Sequence, residues 1–212
     1  MATYIFPYLL CILWAQAAWA ADITPPRPLD FDPPWELVTD RAHTKLYKHP
    51  WPNNGINTFK VVMTMDAPAE KILSVITDVA LYPEWVPNCR KAEVIQKNGS
   101  TSLIYYLALD MPWPAMNRDW VNELAVVRDA GTGDIVVSFT AIDHLLPSRK
   151  GYLRVREHIA FWVLTPVGKN KTRSIWQWYT DPGGRLPGWL VRWATRDQVM
   201  RSIQNLNGIL AR

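Results

Sequence analysis

The sequence predicts an α+β domain: a meander of long antiparallel strands with one helix ahead of it and another closing the chain. Three observations carry this. Strand-like runs follow one another from Arg90 to Tyr179, punctuated by the turn signals Asn98-Gly99 and Gly131-Thr132-Gly133-Asp134. A helical apolar stripe of Ile72, Leu73, Val75, Ile76 and Val79 precedes them. A broader one, with Leu186, Trp189, Leu190, Trp193, Met200 and Ile203, ends the chain. An antiparallel sheet with one apolar face has to be covered, and two long helices are available to cover it.

The first twenty residues hold no charged side chain, and Ala18-Trp19-Ala20 supplies a small-x-small cleavage pattern after an apolar run. This reads as a signal peptide over residues 1–20, leaving a single domain over 21–212. The apolar run is short for a membrane span, so a retained anchor is the lesser alternative. Export is expected, to the periplasm in a bacterium and to the exterior otherwise. Cleavage leaves Cys89 without a partner for an internal disulfide, so the core has to hold the fold. Cys89 itself reads as a small buried hydrophobe rather than a catalytic thiol.

Residues 21–34, rich in proline and aspartate, predict an extended leader, and 35–41 a short helix. Strands are expected at 43–50 and 57–66, joined by a Pro52-Asn53-Asn54-Gly55 turn. In the second, Phe59, Val61, Met63 and Met65 alternate with Lys60, Val62 and Thr64, which gives one mainly apolar face. The first helix is expected over 68–81, with Asp66 as cap and Pro68 in its first turn. Pro83 and Pro87 bracket Trp85 beyond it. Further strands are expected at 91–96, 102–109, 120–128, 135–142, 152–167 and 171–179, and the closing helix at 186–212.

Two strands mix polar groups into apolar faces. From Tyr152 to Val163 one face carries Glu157 among Leu153, Val155, Ile159, Phe161 and Val163; the other carries Arg154, Arg156, His158, Ala160 and Trp162. In the last strand Trp176 and Trp178 share a face. An inward polar group is either paired in a core or lines a cavity, and the pattern leaves open which face turns inward. Asp197 falls near the middle of the closing helix's apolar side, where it is expected to meet a sheet arginine or line a pocket mouth.

Composition narrows the function classes. Apolar residues make up 49% of the chain, enough for a sizeable core. Twelve tryptophans exceed what a plain core needs, and Trp suits places where one ring edge is apolar and the other meets water. The net charge of +4 reads as solvated surface or weak attraction to an anionic membrane. No Lys/Arg cluster with interleaved aromatics runs through the chain, which argues against nucleic acid as a partner. His43, His49, His144 and His158 form no metal-ligand pattern, and no Gly-rich phosphate loop occurs, so no cofactor is expected.

The stretch Asp110 to Val121 reads D-M-P-W-P-A-M-N-R-D-W-V. Its two prolines bracket Trp113 and cannot continue a ladder. P-W-P followed by R-D-W-V resembles the loop-and-strand motif of START domains, a lipid-transfer family. The segment D-P-G-G-R-L-P-G-W-L-V, Asp181 to Val191, is similar to the lead into that family's C-terminal helix. D-x-x-x-Y-P-E-W-V-P, Asp78 to Pro87, resembles a motif of the wider birch-pollen-allergen-like superfamily. The three stand in the family's order and cover most of the chain from about Phe59.

The resemblance implies a helix-grip fold, a curved antiparallel sheet wrapped around a long C-terminal helix with an internal hydrophobic tunnel. It also implies a gate made of loops 110–117 and 143–151 and the start of the last helix. The gate residues are then Trp113, Met116, Leu145 and Trp189, whose apolar tips suit transient contact with a bilayer. Tyr106, Glu157, Trp178, Trp193, Asp197 and Met200 are the expected cavity residues. Arg118 and Asp119 read first as a structural ion pair, with Arg118 retained as a ligand contact; Arg154 matches a recurrent family arginine and is the better headgroup candidate. Steroid-binding relatives tend to carry an arginine six positions after the R-D arginine, where this chain has Leu124, so a sterol ligand is less favoured.

The function implied is non-catalytic binding and transfer of a hydrophobic lipid: a phospholipid, fatty acid or sterol-like molecule. One alternative is a cyclase- or hydrolase-like enzyme using the same cavity, with His158, Glu157, Tyr106 and Asp197 as acid/base groups that no spacing ties together. The other is a ligand-sensing module that docks a protein partner, for which the chain carries no partner motif.

Overall fold

The structure is a computed structural model and describes residues 34–212 apart from 42, 52–55, 143 and 185. The signal peptide, the extended leader and the P-N-N-G turn lie outside the described residues. The strands are β1 (Glu36–Arg41), β2 (Thr44–Pro50), β3 (Asn57–Met65), β4 (Cys89–Asn98), β5 (Ser102–Leu109), β6 (Asn117–Arg128), β7 (Ile135–Ala141), β8 (Tyr152–Arg154), β9 (Glu157–Gly168) and β10 (Lys171–Asp181). They form one sheet in the order β1-β2-β3-β10-β9-β7-β6-β5-β4, antiparallel throughout, with β8 attached in parallel to β6. The helices are α1 (Ala69–Thr77), α2 (Tyr82–Trp85), α3 (Gly188–Arg192) and α4 (Gln198–Leu210).

Glu36–Arg41 form a strand where the sequence predicted a short helix over 35–41. Val38 and Thr39 are β-branched, and the segment finds a partner in β2, with Leu37 opposite Tyr47 and Arg41 opposite Thr44. The expected helix over 68–81 ends at Thr77. Pro68 takes the cap position without a side-chain bond, and Asp66 does not cap. Asp78 leaves helical geometry, and its carboxylate accepts the Ala80 N–H at 3.0 Å, starting a 3₁₀ turn that runs on into α2. The expected strand over 152–167 is two strands. β8 pairs with β6, Val155 N–H donates to the Asp119 carbonyl at 2.9 Å, and the chain then crosses to pair with β7.

The inner face of the sheet packs on α1 and α4. Ile72 and Ile76 of α1 and Leu206 of α4 are fully buried against Val61, Val137 and Leu164. Each such side chain contributes about 1.5–3 kcal/mol relative to exposure. Lys71 Nζ donates to the Leu210 carbonyl at 2.7 Å, placing a cation at the C-terminus of α4 and tying the two helices together.

The closing helix is not α-helical throughout. Between α3 and α4, Trp193–Asp197 form a π-helical turn. Bonding from i to i+5 inserts an extra residue, which rotates everything after it by about 100° against the phase of a regular helix.

Candidate functional site

Strand alternation decides which residues face the space beneath the closing helix. Phe59, Tyr105, Leu107, Trp120, Phe139, Ala160, Trp162, Trp176 and Trp178 all turn inward, each two positions from its neighbour on the same strand where there is one. From the helical side come Val191, Ala194, Thr195, Gln198, Val199 and Ser202. Together they enclose a cavity of about 470 Å³, within the usual range for small-molecule sites.

The aromatic residues are stacked rather than scattered. Trp162 lies opposite Trp176 with ring centroids 5.1 Å apart, Trp176 and Trp178 are 4.6 Å apart, and Trp178 stacks on Phe59 at 5.5 Å. This ladder across β9, β10 and β3 gives the cavity a continuous apolar wall and absorbs part of the tryptophan excess.

Polar groups are few and placed at particular depths. Asn122 donates from Nδ2 to the Tyr105 hydroxyl at 3.1 Å, and its Oδ1 has no partner. Trp85 Nε1 and Gln198 Nε2 are likewise buried without partners; the other end of Gln198 accepts from Asn88 Nδ2 at 3.0 Å. His158 Nδ1 sits 2.8 Å from Thr180 Oγ1, and burial pushes its imidazole down to about 4. Burial pushes the Tyr105 phenol up to about 12. A cavity wall with unmet polar atoms favours a ligand that can meet them.

Arg118 stands at the mouth, only 3% exposed. Its Nε donates to the Pro182 carbonyl at 3.2 Å, Nη2 to Gly183 at 3.1 Å and Nη1 to Met116. These carbonyls lie on the loop after β5 and on the turn ahead of α3, so one guanidinium holds two parts of the mouth. Burial without a carboxylate lowers its pKa from the ordinary value. The turn depends on the Gly183-Gly184 pair, with φ of 65° and 68°. A Cβ on Gly183 would also meet Leu153 Cδ2 at 3.0 Å. Gly183→Ala is therefore expected to destabilise the protein by about 1–2 kcal/mol and to weaken ligand retention, read by urea unfolding and by lipid release.

Arg118 and Asp119 do not pair with each other. Neighbours on a strand point to opposite faces, so Arg118 faces the cavity while Asp119 faces out toward β8. There Arg154 Nε and Nη2 donate to Asp119 Oδ1 and Oδ2 at 2.9 and 3.0 Å. Arg154 also donates to the carbonyls of Leu146 and Pro147 at 3.1 and 3.2 Å. Arg154 is therefore a structural residue that anchors the 143–151 loop, not a cavity headgroup contact.

Of the other expected site residues, Trp178 lines the cavity. Tyr106 is on the outer face with Ile104, Ala108 and Val121, its hydroxyl 3.4 Å from Arg149 Nη1; Tyr105 takes the inward place. Glu157 is exposed and accepts from the Tyr179 hydroxyl at 3.1 Å, again on the outer face. Asp197 is exposed, because the π turn rotates it off the side that a regular helix would give it. Met200 packs against the core without lining the cavity. The Trp193 side chain lies outside the described residues. Trp113, Met116, Leu145 and Trp189 are surface residues, Trp113 at 88% exposure.

Sequence reasoning missed Trp162, Trp176, Phe59, Trp85, Asn122 and Gln198 as site residues. The first two stood on faces already separated by alternation; a rule for which face turns inward would have found them. Asn122 follows Arg118 and Trp120 by the same period of two. Of the acid/base candidates, His158 lines the cavity and Tyr106, Glu157 and Asp197 do not. Among the described residues no cluster of three or more His, Cys, Asp or Glu is placed to hold a metal, and no helix is long and apolar enough to cross a membrane. Cys89 is half-buried, and burial pushes its thiol up to about 11.

A curved antiparallel sheet closed by a C-terminal helix over an apolar cavity defines a helix-grip ligand-binding protein. Residues 30–210 match the family model of the START domain, and the chain belongs to that family. It is 26% identical over 172 residues to an uncharacterized protein of Pseudomonas aeruginosa, covering 81% of this chain and 84% of the relative. It is 22% identical over 178 residues to the phosphatidylcholine transfer protein of Mus musculus, covering 81% of each. A crystallised fragment of a STAR-related lipid transfer protein from Xanthomonas axonopodis superposes with a TM-score of 0.75 at 26% identity, covering 84% of this chain and 99% of that one.

Proposed function

We propose that the protein is a non-catalytic carrier that binds a hydrophobic lipid in this cavity and transfers it between membranes. The observation that carries this is the cavity itself: a partly open volume walled by a stack of Trp and Phe rings and covered by a helix that a short turn holds in place. Moving an acyl chain through water exposes about 0.8 kcal/mol per methylene, which such a wall removes. The relatives named above as lipid transfer proteins support the same use. An enzyme of the cyclase type needs acid and base groups converging on its substrate, and three of the four such groups lie away from the cavity.

The exposed tips of Trp113 and Met116 beside the Arg118 mouth suit docking on a bilayer. The apolar N-terminal segment favours export by a cleaved signal peptide, which the mass of the mature chain from its own source checks directly. Native mass spectrometry with solvent extraction is expected to find one lipid per chain, released unchanged; an altered product would move the reading to an enzyme. In vesicle-to-vesicle transfer, Ala194→Trp, which fills the cavity from the helical side, is expected to abolish both binding and transfer. Trp113→Ala is expected to slow transfer severalfold while equilibrium binding stays as it was. Retention of full transfer by the filled variant would sink the carrier reading.

A further inference from the structure

Among the described residues lining the cavity, Arg118 and Asp110 are the two charged ones. Asp110 is accounted for: it accepts from Asn117 Nδ2 at 3.2 Å and lies 3.6 Å from Arg90 Nη1. Arg118 is not. It is almost fully buried, and its partners are three neutral carbonyls. Carbonyl dipoles orient a guanidinium but do not cancel its charge, and a buried charge without a counter-charge is costly to maintain. No carboxylate forms an ion pair with it among the described residues. The nearest in sequence, Asp119, is on the opposite face and already satisfied by Arg154.

We propose that Arg118 is the anchor for the acidic group of the bound ligand, so that the lipid this cavity takes carries a carboxylate or a phosphate. This rests on the carrier reading and narrows it. A guanidinium has five N–H donors. One on Nε, one on Nη1 and one on Nη2 are engaged, which leaves one on each terminal nitrogen, the number a bidentate carboxylate or phosphate takes. The position fits an amphiphile entering tail first. Arg118 is at the mouth end of β6, while Trp120 and Asn122 follow it inward on the same face, about 14 Å from first to last at 3.4 Å per residue. The acidic group stays at the mouth and the apolar remainder lies along the aromatic wall. Since the engaged carbonyls belong to the 110–117 loop and the turn before α3, the ligand's charge settles on the residue that already joins these two segments.

The test compares ligands matched in everything but charge: oleic acid against oleyl alcohol, and dioleoyl phosphatidic acid against dioleoylglycerol, titrated into delipidated full chain by quenching of the cavity tryptophans. The acid of at least one pair is expected to bind about tenfold or more tighter than its neutral partner. Arg118→Met is expected to bring that ratio to about one by lowering the acid's affinity more than the neutral ligand's, with Arg118→Lys between the two. A preference confined to oleic acid identifies a carboxylate ligand; one confined to phosphatidic acid identifies a phosphate. Equal binding of acid and neutral members by the natural chain, or an unchanged ratio in Arg118→Met, overturns the anchor and leaves the carrier reading standing. Failure of all four to bind overturns both. Should Arg118→Met fail to fold, carboxyl-¹³C oleate bound to the natural chain decides. A carboxyl on the guanidinium titrates well below its ordinary range of about 4–5, whereas one that titrates in or above that range overturns the proposal.

Discussion

Arg154→Ala is expected to destabilise the protein by about 3–5 kcal/mol, the range for breaking a buried ion pair from one side. The Asp119 carboxylate has no exposed surface and the Arg154 side chain almost none, at 0% and 4%. Removing the guanidinium leaves Asp119 buried without its counter-charge and frees the carbonyls of Leu146 and Pro147. Urea unfolding should show a lower midpoint with an unchanged slope, since the same surface is exposed on unfolding. The double variant Asp119→Leu with Arg154→Met is expected to recover most of the loss, because it removes both charges together. The exposed pair Arg128–Glu70 supplies the contrast: both partners are solvated, and Glu70→Gln should leave the midpoint where it was. If Arg154→Ala instead unfolds at the natural midpoint, the Asp119–Arg154 pair is not what fixes β8 and the 143–151 loop to the sheet.

That pair also shows what the sequence carries and what it withholds. The strand meander was legible because its turns announce themselves, at Asn98-Gly99 and at Gly131 to Asp134, and because β5 and β7 between them are short runs rich in β-branched and aromatic residues. β1 was not, since six residues with one buried side chain have no period of their own and become a strand by pairing with β2. Arg118 and Asp119 looked like partners through adjacency, yet the alternation that identified the strand already separates them. Asp119 finds its partner 35 positions away on a strand of three residues. Tyr106 was placed one residue out of phase for the same reason, with Tyr105 inside. On the closing helix a regular wheel places Leu190 correctly in the core, though Trp189 beside it is exposed. The wheel fails beyond Trp193 because the π turn shifts the phase, so Asp197 turns to solvent while Ala194, Thr195, Gln198 and Ser202 face the cavity. Small and polar residues at those places carry no hydrophobic signal, for the wall they form borders a space left for a ligand.

The second large effect belongs to His158. Its ring is partly buried on the cavity wall, Thr180 holds Nδ1, and the charged form is disfavoured by burial, which lowers the pKa from 6.5 to about 4. Above pH 6.5 the imidazole is neutral in both folded and unfolded chains and contributes no slope. Between about 6.5 and 4 the unfolded chain takes up a proton that the folded chain does not, so stability falls as the pH falls, approaching 1.4 kcal/mol per unit. Below about 4 both states are protonated and the loss stops growing, at no more than about 3.4 kcal/mol, an upper limit since part of the ring faces the cavity rather than packed atoms. His158→Gln keeps a hydrogen-bonding partner for Thr180 and removes the titration. Its stability is expected to stay level from pH 6.5 to 5, before the carboxylates begin to protonate, where the natural chain loses about 1–2 kcal/mol. Chemical denaturation of both chains at half-unit intervals measures the difference. Parallel curves over that window would mean that water reaches the imidazole and that the cavity is wetter at its β9 wall than the packing of Ala160 and Trp162 implies. A widening gap would mark the wall as dry, the condition under which a lipid tail gains most from lying along it.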